Sequence, residues 1–318
     1  MLSLSARIYS SSPRLTKIAT DPQLQTAPKY GREDQILQPS SEEIGLLTPT
    51  ARRLYRVADW MFRRANWVTV AWITTFMRLM LWFCGGRRFR IHGQEQLDTF
   101  TDKTSALLVA NHRSFFDFYV ITYATVTRSA LSRRAIFPVR EDFFYDRWLG
   151  GLVNMLMTGM AMFPPITRSK EQMPFNRFAL ARLVQELDKE GTYVGIHPEG
   201  TRNKGEPYTF LPAQPGVGKL VLEAEQARTI PIFILGMGSN LLLETWRNWT
   251  APDKWPIYIC FGDDIDFSDL RLKGSRASTQ LRAARRCMEA IGDLAEQQRI
   301  LETGENSERA AEQRLQGT

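Results

Sequence analysis

The sequence predicts an α/β fold in which one domain follows an apolar helical segment. The first observation is that short apolar runs alternate with helical periodicities after residue 88, a pattern typical of a sheet flanked by helices. The second is a composition of 43% hydrophobic and 24% charged residues, which is that of an ordinary globular protein. The third is a length of 318 residues, enough to bury a substantial core.

Residues 1–50 mix Ser, Pro, Thr, Gln and charged residues without a sustained apolar period, so we expect a flexible N-terminal region. No apolar stretch of the kind found in secretory signals follows the first charges. Residues 1–20 are rich in Ser, carry basic residues and contain no acid. They resemble an organellar transit peptide, and a plain disordered leader is the favoured alternative.

Residues 51–86 are predicted to form an amphipathic helical segment that associates with a membrane. Residues 65–83 are apolar and aromatic over a length close to a membrane span. Four of the eight tryptophans lie in this region, namely Trp60, Trp67, Trp72 and Trp82. Arg78 interrupts it, and a charged side chain at the centre of a span costs about 2.5–3.5 kcal/mol. We therefore favour a helix or helix pair lying in the interface over a spanning helix or a buried core helix.

The domain itself is expected to cover residues 87–296. Its strands are predicted at Phe89–His92, Ala106–Ala110, Ala135–Val139, Met160–Phe163, Tyr193–His197, Ile230–Leu235 and Ile257–Phe261. Helical periods occur at roughly 115–126, 146–157, 175–190, 216–227 and 277–300. Residues 297–318, rich in Glu, Gln, Arg and Ala, are predicted to form a polar helical tail.

The charge balance favours anionic partners, because the formal net charge is +7. Nucleic acid, lipid headgroups and phosphate-bearing substrates all fit that sign. The basic residues are dispersed among apolar stretches and match no nucleic-acid-binding motif, so we expect no nucleic-acid partner. Three widely spaced cysteines without a C-x-x-C pattern and only three histidines predict neither disulfides nor a metal site.

The motif Asn111–Asp117, with the sequence NHRSFFD, follows the predicted strand Ala106–Ala110 directly. Residues five positions apart on one helix differ by about 140° in direction, so His112 and Asp117 can meet only if His112 lies in the loop and Asp117 in the first helical turn. Ser114 is the expected N-cap of that helix. Such a carboxylate fixes the imidazole tautomer and stabilises the imidazolium that forms when histidine takes a proton. A histidine hydrogen-bonded only for structure is the alternative.

A second motif, HPEGTR, runs from His197 to Arg202 at the end of the strand Tyr193–His197. Ends of strands followed by glycine are where α/β proteins bind ligands. Gly200 permits close approach of the backbone, and Arg202 offers a guanidinium fork for a phosphate or carboxylate. A tight turn with a surface ion pair is the alternative.

Arg168 follows the sequence FPPIT at residues 163–167. A proline-stiffened bend holds an arginine more rigidly than an exposed helix does. This position therefore suits phosphate capture, and a solvated surface arginine is the alternative.

In this order, the motifs resemble the glycerolipid acyltransferase family, which includes 1-acyl-glycerol-3-phosphate acyltransferases. The matching segments are NHRSFFD at 111–117, FPPITR at 163–168, HPEGTR at 197–202 and IPIFIL at 230–235. Arg140 with the following Glu-Asp-Phe and Gly150 resembles a further family segment. The resemblance covers roughly residues 87–265 and implies a single mixed-sheet acyltransferase domain.

The resemblance also implies direct acyl transfer from acyl-CoA or acyl-carrier protein to the free hydroxyl of lysophosphatidic acid, giving phosphatidic acid without metal or cofactor. In that scheme His112 is the general base and Asp117 orients it. The acceptor is then bound by Glu199, Gly200, Thr201 and Arg202, and its phosphate by Arg140 and Arg168. The expected location is the cytoplasmic face of a membrane, an organellar membrane included.

Two departures from the family pattern bear on the acceptor. His197 stands where the family usually has Phe, and Arg140 stands where it has Lys. Glycerol 3-phosphate or another lysolipid is therefore an alternative acceptor. A catalytically inactive membrane-binding protein of the same fold is the alternative outside enzymes, although the intact set of His, Asp, Glu and Arg argues against it.

Overall fold

A six-stranded sheet forms the centre of the computed structural model, which describes residues 36–128 and 134–316, with side chains described up to residue 303. The strand order is β1-β8-β7-β2-β6-β3. The strands are β1 (Phe89–His92), β2 (Ala106–Ala110), β3 (Arg134–Ile136), β6 (Thr192–Ile196), β7 (Arg228–Leu235) and β8 (Ile257–Phe261). All neighbours pair in parallel except β7 and β8, so the sheet is mixed, as predicted.

Strand β2 lies at the middle of the sheet, and each of its five residues is buried. The continuous apolar sequence ALLVA suits a parallel strand whose two faces are both covered by helices. β2 pairs in parallel with β6 on one side and β7 on the other. Because parallel strands end at the same edge of a sheet, the loops after β2 and β6 lie next to each other.

A separate two-stranded parallel sheet joins β4 (Val139–Arg140) to β5 (Pro165–Ile166). The predicted strand Ala135–Val139 is therefore divided between two sheets. The predicted strand Met160–Phe163 is wrong, because Gly159 and Met160 both adopt positive φ and turn the chain after a helix. This segment was predicted as a strand because it is short and apolar. A short apolar run does not distinguish a strand from buried coil.

Helices cover the sheet and form the N-terminal region. They are α1 (Ser41–Gly45), α2 (Pro49–Arg64), α3 (Asn66–Trp72), α4 (Arg78–Gly85), α5 (Glu95–Asp98), α6 (Asp117–Arg128), α7 (Glu141–Phe144), α8 (Trp148–Thr158), α9 (Met173–Leu187), α10 (Pro215–Glu223), α11 (Leu241–Thr250), α12 (Ser268–Arg271) and α13 (Ala277–Gln316). The predicted helical periods correspond to α6, α8, α9, α10 and α13. The predicted division of the chain at residue 296 falls inside α13, which continues without a break.

The segment before residue 51 is not uniformly flexible. Its residues 1–35 lie outside the described part of the chain, but α1 begins with a capping box in which Ser40 and Glu43 exchange side-chain and backbone hydrogen bonds. α2 then packs into the domain, where Tyr55 and Phe62 each stack on Phe163 with ring centroids 5.4 Å apart. Local capping and aromatic burial thus extend the ordered structure toward the N-terminus.

One helix in the described residues, Asn66–Gly85, is long and apolar enough to cross a membrane, and 33% of its most apolar window is buried. It consists of α3 and α4 joined by a π-helical turn, Ile73–Met77. In this turn the Thr74 and Thr75 hydroxyls donate to carbonyls of the preceding turn. Trp72 donates its indole N–H to the Leu156 carbonyl of α8, so the helix is attached to the domain along part of its length.

Candidate active site

The loop after β2 holds His112 at the end of the central strands. Asn111 starts the loop and is fully buried. Its side chain donates to the Ile234 carbonyl and accepts from the Ile234 N–H, at 2.9 and 2.7 Å. This pair of hydrogen bonds fixes the loop to β7 and therefore determines the position of His112, the next residue.

His112 and Asp117 are brought together by this loop and the start of α6. Nδ1 of His112 lies 2.9 Å from Oδ2 of Asp117. The same oxygen accepts from the backbone N–H groups of Arg113 and Ser114, at 2.6 and 2.8 Å. Because an ionised carboxylate can only accept, the proton of a neutral His112 sits on Nδ1. Its Nε2 therefore keeps the basic lone pair.

Ser114 caps the start of α6, as predicted, although the regular helix begins only at Asp117. In return, the Asp117 carboxylate accepts from the Ser114 N–H at 2.8 Å. The Ser114 hydroxyl accepts from the Phe116 N–H and donates to the Gly238 carbonyl, at 3.0 and 2.8 Å. Ser114 thus ties the loop to the segment that follows β7.

Burial sets the protonation of this pair. Burial lowers the pKa of His112 to about 4, and the Arg202 guanidinium acts in the same direction. Burial raises the pKa of Asp117 to about 6, against the hydrogen bonds from the Ser114 and Arg113 amides, which lower it. At neutral pH the imidazole is therefore uncharged and the carboxylate ionised, which is the state that a general base requires.

His197, at the end of β6, stacks on His112. Their ring centroids are 4.1 Å apart and their planes differ by 6°. Nδ1 of His197 donates to the Ala110 carbonyl at 3.0 Å, and burial lowers the pKa of His197 to about 4. The sequence marked His197 as unusual but did not predict the stack. The parallel pairing of β2 with β6 was the signal that could have revealed it.

Glu199 is buried, and its carboxylate holds two loops together. Oε1 accepts from the His112 N–H and Oε2 accepts from the Leu211 N–H, both at 2.8 Å. With both oxygens engaged by backbone amides, Glu199 positions the His112 loop in this structure. Each oxygen can accept a further hydrogen bond, and the acceptor-binding role that the resemblance implies for Glu199 remains a prediction.

Gly200 adopts a φ of +65°, a conformation that disfavours side chains, and an added Cβ would lie 2.9 Å from the Gln214 side chain. Its carbonyl lies 3.4 Å from Nη2 of Arg168. Thr201 is partly exposed and Arg202 is exposed, with the Arg202 charge close enough to act on the His112 pKa. The HPEGTR loop therefore carries one guanidinium group whose charge reaches the imidazole, that of Arg202, and contacts a second, that of Arg168, through the Gly200 carbonyl.

Arg140 and Arg168 line a common cavity of about 180 Å³, because β4 and β5 pair in parallel. Acids line it as well: Arg140 pairs with Asp142, and Glu141 is buried beside it. Burial and the nearby Asp146 raise the pKa of Glu141 to about 7. The cavity is thus mixed in charge, and Arg140 already has a carboxylate partner.

One group of side chains in the described residues has the composition of a metal site. Ligand atoms of His112, Asp117 and His197 lie within 4.8 Å of one another. Both histidines use Nδ1, toward Asp117 and the Ala110 carbonyl, which leaves Nε2 of each ring as the available ligand atom. Oδ1 of Asp117 is buried without a hydrogen-bond partner. The expectation of a metal-free site remains a prediction.

Comparison with known proteins gives a family for this region. A family model described as Acyltransferase matches residues 88–235. No curated protein matches the chain. Among solved structures, the 1-acyl-sn-glycerophosphate (LPA) acyltransferase PlsC from Thermotoga maritima matches 79% of this chain and 95% of its own, with 16% identity and a TM-score of 0.46, a likeness too distant to transfer a substrate. Residues 88–235 therefore form an acyltransferase-family domain, in agreement with the glycerolipid acyltransferase family that the motifs resemble.

Proposed function

We propose that the protein transfers a fatty acyl group from acyl-CoA or acyl-carrier protein to the free hydroxyl of lysophosphatidic acid, giving phosphatidic acid. The observation that carries the proposal is the hydrogen bond of 2.9 Å between His112 Nδ1 and the buried Asp117 carboxylate. It leaves Nε2 of a neutral imidazole as a base beside an arginine-bearing loop.

In the proposed mechanism, His112 Nε2 takes the proton of the acceptor hydroxyl as the oxygen attacks the thioester carbonyl carbon. Asp117 stabilises the resulting imidazolium through Nδ1. The tetrahedral intermediate collapses with cleavage of the carbon–sulfur bond, and the departing thiolate takes the proton back from His112. The products are an ester and a free thiol, so His112 and Asp117 return to their initial state.

The phosphate of the acceptor is proposed to bind near Arg168 and Arg202. Arg202 is exposed and acts electrostatically on His112, while Arg168 touches the Gly200 carbonyl of the same loop. Arg140 can join them if the phosphate displaces Asp142 from its guanidinium. One guanidinium group on the HPEGTR loop and a second in contact with that loop favour a phosphorylated acceptor over a neutral one.

The protein is proposed to act at the cytoplasmic face of a membrane, with Asn66–Gly85 lying in the interface. Arg78 is exposed in the middle of this helix, and large apolar residues beside it, including Trp67 and Leu79, are exposed as well. A helix with this mixture suits the headgroup region better than the hydrocarbon centre.

Purified protein and a labelled acyl donor, assayed against lysophosphatidic acid, glycerol 3-phosphate and lysophosphatidylcholine, test the proposal. We expect transfer to lysophosphatidic acid, and a loss of about 10³-fold or more in His112→Ala because the base is removed. His92→Ala is the matched control, since His92 lies on β1 against Tyr258 and should leave transfer unchanged. Activity of His112→Ala at the wild-type level would refute the mechanism. Membrane binding without transfer to any acceptor would instead indicate a non-catalytic protein.

A further inference from the structure

Helix α11 has its polarity reversed relative to a helix on a water-exposed surface. Two of its polar side chains, Glu244 and Asn248, are fully buried. Its large apolar side chains face outward instead, with Leu242 85%, Trp246 58% and Trp249 44% exposed. A helix on a water-exposed surface buries its apolar stripe and exposes its polar one. The outer face of α11 is therefore built for an apolar surrounding.

The buried polar face shows that this orientation is fixed. Glu244 forms an ion pair of 2.5 Å with the fully buried Arg88. Asn248 accepts from the Arg87 N–H at 3.0 Å and donates to the Phe83 carbonyl at 2.9 Å. Rotating the helix to bury its leucine and tryptophans would leave these groups unpaired in the interior, at a large cost.

The outward face of α11 is continuous with the apolar helix α4. The Trp249 ring lies 6.0 Å from the ring of Trp82 and 5.5 Å from that of Phe83, both of which are also exposed. The Trp249 indole N–H donates to the Phe83 carbonyl at 2.9 Å. The two helices therefore present one apolar surface.

That surface begins beside the loop that carries His112. The Ser114 hydroxyl donates to the Gly238 carbonyl, and the Phe115 N–H donates to the Ser239 hydroxyl, at 2.8 and 3.2 Å. Asn240 then caps α11 by accepting from the Leu243 N–H. The segment from Gly238 to α11 thus links the base loop to the apolar surface through direct hydrogen bonds.

We propose that α11 is a second bilayer-contacting helix, which together with α4 seats the protein on an anionic lipid surface with the acyl-transfer site at the membrane boundary. Cationic groups accompany the tryptophans: the Arg87 guanidinium lies 5.5 Å from the Trp249 ring, and Arg247 lies 4.3 Å from Trp255. Tryptophan with arginine is typical of the headgroup level of a bilayer, and the net charge of +7 complements anionic lipid. The lipid contact does not depend on the proposed function. Only the placement of an acyl-transfer site at the membrane boundary rests on it.

Co-sedimentation with vesicles of phosphatidylcholine containing phosphatidylglycerol tests this proposal without any acyl substrate. The variants are Leu242→Glu and Trp246→Glu, both at exposed positions, so the fold should be retained; thermal unfolding checks this. We expect each to lower vesicle partitioning roughly tenfold or more, because an apolar contact is lost and a repelling charge is gained. Leu272→Glu is the matched control, since Leu272 is 90% exposed on the segment after α12 and outside the proposed surface. It should reduce partitioning far less.

Wild-type partitioning in both α11 variants would overturn the proposal. A wild-type dimer that becomes monomeric in these variants, with vesicle binding unchanged, would show instead that the face contacts a second copy of the chain, and would overturn it equally. Loss of vesicle binding in a protein that transfers no acyl group would support the lipid contact and refute only the proposed function.

Discussion

At the scale of single residues, the site depends on a carboxylate with one engaged and one unengaged oxygen. Oδ2 of Asp117 accepts hydrogen bonds from the imidazole and two loop amides, while Oδ1 is buried without a hydrogen-bond partner. Sequence spacing predicted that His112 and Asp117 could meet, because the strand and helix on either side were recognisable. It did not predict Glu199 as a brace for the loop or His197 as a stacking partner, since both contacts depend on the pairing of β2 with β6.

The pH dependence of transfer follows from the pair's protonation. The active state requires a neutral His112 and an ionised Asp117, and the pKa of Asp117 is raised to about 6 whereas that of His112 is lowered to about 4. As the pH falls, Asp117 is therefore protonated before His112. We expect kcat/KM to be nearly constant from neutral pH to about pH 7.5 and to decline below about pH 6.

Asp117→Asn tests the same assignment. It should lower kcat by roughly 10²–10⁴-fold, because the imidazolium loses its counter-charge, with a smaller change in KM for the acceptor. The decline near pH 6 should also disappear. A profile that keeps this decline in Asp117→Asn would assign it to another group.

The stacked ring predicts a difference between two replacements of His197. His197→Phe keeps an aromatic face on His112 and should retain kcat within several-fold, whereas His197→Ala removes the support and should lower kcat by about tenfold or more. Steady-state kinetics on lysophosphatidic acid measure both. Equal losses in the two variants would show that a ring nitrogen of His197, rather than its stacking, matters for transfer.

At the scale of elements, the sequence located the strands that carry the site and missed those features that only packing determines. β2 and β8 coincide with predicted apolar runs, because buried strands are continuous in hydrophobicity, and the partly buried strand β1 coincides with its predicted run as well. The strand predicted at 160–163 is wrong because a buried turn gives the same short apolar run in the sequence. α11 was not predicted, although its apolar residues recur at helical spacing at 242, 246 and 249. Its reversed polarity depends on Arg88, which is distant in sequence.

The Arg88–Glu244 pair should be important for the attachment of α11. Glu244→Ala leaves the guanidinium of Arg88 buried without its carboxylate, so we expect the free energy of unfolding to fall by about 3–5 kcal/mol. Asp269→Ala is the matched control, since it removes the exposed pair with Arg286 and should lower the free energy of unfolding far less. Denaturant unfolding of both variants measures the difference. Similar losses would show that burial of the pair contributes little.

At the scale of the whole molecule, we expect charge and apolar surface to act together on one partner. Composition predicted only that the partner is anionic, because a net charge of +7 does not distinguish a membrane from a nucleic acid. The arrangement of exposed tryptophans on α4 and α11 with arginines beside them favours a lipid surface. This distinction depends on which side of each helix faces outward, which the sequence does not specify for α11.

The electrostatic and the apolar contributions to membrane binding should respond differently to salt. Electrostatic attraction to anionic lipid is screened as the ionic strength rises, whereas burial of leucine and tryptophan is not weakened by salt. We therefore expect binding to phosphatidylglycerol-containing vesicles to fall with added salt toward the weaker, nearly salt-independent level found for pure phosphatidylcholine. Leu242→Glu should lower that residual level on neutral vesicles. Complete release of the wild-type protein by salt would mean that the apolar surface does not enter the bilayer. Binding that is affected by neither salt nor Leu242→Glu would instead favour a spanning Asn66–Gly85 helix.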